Sequence, residues 1–154
     1  MKVLTYNVHG WQSPGGGSNL ALIAEAIAAS DADVVGLNEV FHPAGAMDET
    51  PLSVLATRLN MAYAFGSTQP AHPHPNHPPY GNALLSRWPV VAYAAHLLSP
   101  AVSYGKRGLL EVRLLLPSGA PFTVYVTHLD HRSEAVRVQQ WAAADTWLSR
   151  DRAR

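Results

Sequence analysis

The unbroken apolar run Val34-Val35-Gly36-Leu37, closed by Asn38-Glu39-Val40, reads as a buried strand over 34–40 that ends on a carboxylate. Residues 2–8 form a first strand, followed by a Gly-, Pro- and Ser-rich loop from Gln12 to Ser18. Leu20, Ile23, Ala24 and Ile27 then recur at helical spacing, with Ser18 or Asn19 as N-cap. Asp31-Ala32-Asp33 turns the chain into the strand at 34. Thr50-Pro51 is a helix start, a capping hydroxyl before Pro at the first helical position, and Leu52, Leu55, Ala56 and Leu59 make that helix's apolar face. Short strands follow at 61–66, 81–87 and 90–97. The segment 109–116 pairs with 121–127 across Pro117-Ser118-Gly119 as a hairpin. A last helix runs from about Ser133 to Arg150, with Val138, Trp141, Ala142 and Leu148 on one face and Asp145 interrupting it. Helices and strands intermingle with at least one antiparallel hairpin, which predicts an α+β fold of mixed layers.

Length adds that this is one domain with a real core, over 1–154. Formal net charge is zero, so the overall balance advertises neither nucleic acid nor an anionic membrane. The chain has no cysteine, which removes disulfides, thiolate metal sites and a Cys nucleophile. Met1-Lys2-Val3-Leu4-Thr5 runs directly into a strand, without the charged and apolar regions of a secretory leader, and no stretch could span a bilayer. A cytoplasmic protein is the expectation. The His- and Pro-dense stretch from Gln69 to Pro79 cannot be regular structure. Its His72, His74 and His77 could bind a transition metal, but an exposed loop is the more frequent outcome for such a segment.

Three strand ends carry the candidate chemistry. Glu39 at the end of a buried strand is costly without a partner, and Mg²⁺ often needs only one or two protein carboxylates. Alone, a Glu at a strand–loop junction is more often solvated or paired with Arg. His128 shares parity with Phe122, Val124 and Val126, so it projects from the apolar face where that strand stops. There it could stabilise or protonate a phosphoryl oxygen; the alternative is a satisfied core histidine. Asp130 and Asn82 are both candidates to orient its ring. Asn7 could hold a liganding side chain in place, or simply form the turn before His9-Gly10. Arg107, Arg132 and Arg137 could grip phosphate with paired hydrogen bonds, though each taken singly is more often a solvated surface residue.

Taken in order, Thr5-Tyr6-Asn7-Val8-His9-Gly10, Gly36-Leu37-Asn38-Glu39-Val40, Tyr80-Gly81-Asn82-Ala83-Leu84-Leu85-Ser86-Arg87, Arg107-Gly108-Leu109-Leu110 and Thr127-His128-Leu129-Asp130-His131 form a pattern. It resembles the endonuclease/exonuclease/phosphatase superfamily, with its pancreatic deoxyribonuclease-like α/β/β/α sandwich. Asn38 stands where that pattern usually has Gln. The resemblance implies a phosphodiester or phosphomonoester hydrolase using Mg²⁺, with Mn²⁺ as a substitute, and an activated water. It implies Glu39 as metal ligand, Asn7 and Asn82 as catalytic support, and His128 on the scissile phosphate. Tyr80, Arg107 and Arg132 would bind substrate, and Asp130 would orient the histidine. Substrates in the family include nucleic acid, phospholipid head groups and sugar phosphates. The family's later Gly-Asp-x-Asn motif does not occur here, and no Asp-His pair follows it. The expectation is therefore the N-terminal half of a longer domain, with one sheet and its flanking helices. Such a half would associate with itself or with the missing C-terminal half, or act as a non-catalytic interaction module.

Overall fold

The computed structural model describes residues 1–43, 49–68, 79–98 and 107–152. The loop histidines His72, His74 and His77 lie outside the described residues. Strands β1 (Val3–Asn7), β2 (Val34–Phe41), β3 (Ala62–Ser67) and β4 (Tyr80–Ser86) make one sheet, ordered β1-β2-β4-β3. β1 and β2 are parallel and the rest antiparallel. Strands β5 (Val90–Leu98), β6 (Arg107–Leu115) and β7 (Pro121–Thr127) make a second, antiparallel sheet. Helices α1 (Leu20–Ser30), α2 (Pro51–Leu59) and α3 (Glu134–Arg152) complete the chain. No described helix is long and apolar enough to cross a membrane.

Alternation divides each strand between two cores. Val35, Leu37 and Val40 of β2, with Ala83 and Leu85 of β4, pack against Ile23, Ala24 and Ile27 of α1 and Leu52, Leu55 and Ala56 of α2. Their neighbours Val34, Ala64 and Leu84 face the opposite way and meet Leu110, Val112, Leu114 and Val126 of the second sheet. The layers are thus helix, sheet, sheet, helix. This corrects one expectation: the chain carries both sheets of the sandwich, not one with a wet inner face. The apolar positions of β5, β6 and β7 fit either a helix or a sheet as cover, so their pattern alone does not announce a second sheet. Thr50 does cap α2, its Oγ1 accepting from Ser53 N while Ser53 Oγ accepts from Thr50 N.

α3 departs from the expected face. Val138 is 61% and Trp141 54% exposed, whereas Gln140 and Ala144 are buried. Ala144 sits on Leu98 and Leu109, and Trp147 stacks on His96 at 3.7 Å between ring centroids. Close approach favours the small Ala144, and Gln140 is needed inside because its Oε1 accepts from Asp130 N. Hydrophobicity alone therefore picked the wrong side of the helix.

Outside the site, Asp31 ends α1 in the left-handed region (φ 54°) and pairs with Lys2 Nζ at 2.9 Å and Arg87 Nη2 at 2.6 Å. These two cations hold its carboxyl down from 3.8 to about 2. A depressed folded value stabilises above the unfolded one and is lost as pH falls through the folded one. The melting-temperature gap between wild type and Asp31→Asn, which tolerates the same backbone, should be constant from neutral pH to about 4 and close towards about 2. A gap unchanged across that window in thermal melts would show the pairing to be inert.

Candidate active site

By alternation alone β2 would turn Glu39 toward the helices with Val35 and Leu37. It does not, because the register with β4 jumps from Leu37↔Ala83 to Val40↔Gly81, so Asn38 and Glu39 together oppose Asn82. This is a β-bulge, a device that re-aims side chains. Glu39 takes φ 57°, a left-handed conformation that costs roughly 1–2 kcal/mol for a residue with a Cβ. The bulge returns Val40 to the helix-side core and leaves the Glu39 carboxylate beside two histidines. Its Oε1 is 3.9 Å from His128 Nδ1, and its Oε2 is 3.4 Å from His9 Nδ1.

The exit of β1 is pinned to the same spot. Asn7 Oδ1 accepts from His9 N at 2.9 Å, so Asn7 forms the turn. His9 (φ 49°), Gly10 (φ 61°) and Trp11 (φ 67°) all follow in left-handed geometry. Trp11, itself buried, donates through Nε1 to the Phe41 carbonyl at 2.9 Å. Left-handed non-glycine residues thus cluster at this corner, a concentration of strain typical of functional sites.

Beneath the site a side-chain bridge ties the two sheets together. Asn38 Nδ2 donates to Asn82 Oδ1 at 3.0 Å and to the Thr127 carbonyl at 3.2 Å. Asn82 Nδ2 donates to the Gly108 carbonyl at 3.0 Å, which also accepts from Thr127 Oγ1. Asn82 is 2% exposed and both ends of its amide are engaged, so it holds strands rather than the His128 ring. Asn38 is the residue the sequence undervalued.

Arg107 is the group that touches His128, its Nη1 lying 3.2 Å from His128 Nδ1. A guanidinium only donates, so Nδ1 accepts and the ring proton sits on Nε2. Burial pushes the His128 pKa down, Arg107 adds to that, and Glu39 opposes it. The neutral, Nε2–H form is the one presented. The Tyr80 phenol is pushed up, first by burial and then by Glu39, against Arg107, and so keeps its proton. Phe41 braces the Tyr80 ring at 5.2 Å.

Asp130, expected to orient His128, has its Oδ1 engaged elsewhere. Its Oδ1 accepts from Arg132 N at 2.8 Å and Ser133 N at 2.7 Å, which starts α3. Those backbone donors hold its carboxyl below the usual range. Arg137 donates to the Asp130 carbonyl and braces the same loop. Arg132 lies at the rim, its Nε 3.2 Å from His131 Nε2, while His131 Nδ1 is 3.4 Å from Arg107 Nη2. The structure therefore gathers Glu39, Tyr80, Arg107 and His128, sets Asn7 and Asn82 as supports, and adds His9 and His131, which no spacing signal identified. Among the described residues no three acidic or histidine side chains form a metal cluster. Glu39 supplies one carboxylate beside His9 and His128, the minimum that a water- and phosphate-coordinated Mg²⁺ accepts.

The Endonuclease/Exonuclease/phosphatase family matches residues 4–153. No curated protein matches the chain. Among solved structures, an endonuclease/exonuclease/phosphatase from Beutenbergia cavernae is 28% identical with TM-score 0.70, over 93% of this chain and 42% of its own. A mannosyl-6-phosphatase from Bacteroides thetaiotaomicron is 17% identical with TM-score 0.76, over 97% of this chain and 59% of its own. The human Nocturnin catalytic domain, crystallised with bound sulfate, is 24% identical with TM-score 0.71, over 97% of this chain and 58% of its own. The chain thus spans about half the length of these structures.

Proposed function

Because the chain belongs to the endonuclease/exonuclease/phosphatase family, we propose that it is the N-terminal half of a divalent-metal-dependent phosphoesterase, carrying its metal carboxylate and phosphate-binding groups. One observation carries this reading: Glu39, His128 and Arg107, from three strand ends in two sheets, converge on one corner. Glu39 would hold Mg²⁺ or Mn²⁺, which supplies Lewis acidity at a phosphoryl oxygen and a more acidic water. His128 donates its Nε2–H to a second phosphoryl oxygen and, with Nδ1 committed to Arg107, is a hydrogen-bond donor rather than the water's base. Arg107 and the Tyr80 hydroxyl add donors, Arg132 extends them at the rim, and Asn7 and Asn82 fix the strands. The group that activates water is assigned to sequence beyond this half. The substrate is a phosphate ester on a sugar, a lipid head group or nucleic acid. Zero net charge argues against tight nonspecific binding to nucleic acid, which needs clustered cations.

The test is hydrolysis of bis-p-nitrophenyl phosphate and p-nitrophenyl phosphate with Mg²⁺ and Mn²⁺, with and without chelator. Metal-dependent turnover, slow because the water-activating group is assigned elsewhere, is the expected result. Silence under every condition removes catalysis from this chain and favours an interaction module. A specific feature supports that second reading. Among the described residues β7 packs on β2 and β4, while Val3 of β1, on the same side of the sheet as Val34, is 63% exposed. β7 also has no strand on its outer edge among the described residues. A C-terminal half, or a second copy, would fill that place.

A further inference from the structure

We propose that the outer edge of β5 docks a second copy of this chain, the two β5 strands pairing antiparallel about a two-fold axis at Ala94. The inference does not depend on the phosphoesterase reading. The first observation is the edge itself. β5 pairs with β6 alone, so one side of its backbone has no strand partner among the described residues. Val91 through Ala95 are all exposed, and Val91, Tyr93 and Leu97 are each more than half exposed. Edge strands of monomeric proteins are commonly guarded by lysines, prolines, inward-pointing charges or bulges. β5 contains no Asp, Glu, Lys, Arg or Pro. Its one irregularity lies at its start, between Val90 and Ala92, and Ala92 to Leu98 pair with β6 in unbroken register. A long, regular, apolar edge is a template for another strand.

The second observation selects the occupant. Ala94 is the midpoint of the exposed stretch Val91–Leu97, so an axis there overlaps all of it. It sets Ala94 opposite its own copy, Tyr93 opposite Ala95 and, at the bulged end, Val91 opposite Leu97. The largest side chain thus meets one of the smallest, and two branched side chains meet each other. The strand is complementary to itself, as an isologous contact requires. No charge on either strand opposes the approach, and the whole chain carries none in net. A cavity of about 180 Å³, lined by Ala92, Tyr93, Ala94, Glu111 and Arg113, opens along the same edge and leaves room for the second copy's side chains. The strand is also firmly backed. Ala95 lies so near β3 that a Cβ at Gly66 would come within 3.1 Å of it, and His96 stacks on Trp147. A preordered strand loses little freedom on pairing. The place described above beside β1 and β7 is at the other edge of each sheet, so β5 stays free whatever fills it.

The experiment is sedimentation equilibrium of the whole chain over a wide concentration range. One strand pair falls in the weak class of interfaces, so a monomer–dimer equilibrium with a Kd on the order of 10 µM is expected. Tyr93→Lys puts a charge on the edge and should raise that Kd at least about tenfold, with the circular dichroism spectrum unchanged. A second measurement reads the register. The chain has no cysteine, so Ala94→Cys and Ala92→Cys each carry a single thiol. About the axis the two copies of position 94 lie opposite each other, within reach of a disulfide. The two copies of position 92 are offset by four residues, about 13 Å, beyond the ~7 Å that a disulfide spans between Cα atoms. Under mild oxidation, Ala94→Cys should therefore cross-link at least about tenfold faster than Ala92→Cys on non-reducing gels. A monomer throughout the range, association of any size that Tyr93→Lys leaves unchanged, or equal cross-linking at the two positions overturns the proposal.

Discussion

Glu39→Gln should lower metal-dependent turnover by about three orders of magnitude, since losing several kcal/mol of phosphoryl charge stabilisation divides the rate tenfold for each ~1.4 kcal/mol. Gln keeps the length and the backbone, so the melting temperature should hardly move. The measurement is kcat/KM on whichever p-nitrophenyl ester the wild type hydrolyses. Turnover within a few-fold of wild type would remove Glu39 from the chemistry. The same position carries an independent thermal signature. Glu39 sits at φ 57° inside the bulge, where a Cβ is penalised. Glu39→Ala and Glu39→Gly both lack the carboxylate and differ in that Cβ. Set against glycine's own backbone entropy, the Gly variant should be more stable than the Ala variant by about 1 kcal/mol. In a domain of this size that is roughly 2–4 °C. An Ala variant that melts higher would mean that the bulge stores no strain.

Much of the architecture was legible because its signals are local and periodic. The unbroken Val34–Leu37 run, the Thr50-Pro51 cap and the turn at Pro117-Ser118-Gly119 each specify their element with little outside help. What the sequence hid was set by tertiary partners. Alternation along β7 showed which way Val126 points, but not that the first sheet receives it. The bulge at Asn38-Glu39 has no glycine to announce it, and without it the carboxylate would face the helices. The site residues divide in the same way. Glu39 and His128 end apolar runs and can be seen. Asn82 and Asp130 are ordinary polar residues whose roles, bridging sheets and starting α3, depend on where Gly108, Arg132 and Ser133 fall in space. His131 becomes interpretable only when Arg107, distant in sequence, is found beside it.

Gly81→Ala should destabilise the fold by about 3 kcal/mol or more, a large share of the 5–15 kcal/mol typical of a whole domain. Gly81 lies in β4 between β2 and β3, opposite Val40 on one side and Ser67 on the other. A Cβ there would fall on the Gly66 carbonyl oxygen. That oxygen belongs to the backbone of the neighbouring strand and cannot rotate away, so β3 and β4 must separate. The damage should also reach the site, because Gly81 is flanked by Tyr80 and by Asn82, whose amide links the sheets. Gly15→Ala is the control. Its Cβ would meet nothing within 4 Å, and its backbone is not left-handed, so stability should hold or rise slightly. Thermal melts of both variants decide the matter, with an expected fall of about 6–12 °C for Gly81→Ala at roughly 2–4 °C per kcal/mol. If Gly81→Ala melted with the control, β3 and β4 would not be close enough to exclude a methyl group at Gly81. The expected transmission from Gly81 to the Asn82 bridge between the sheets would then fail with it.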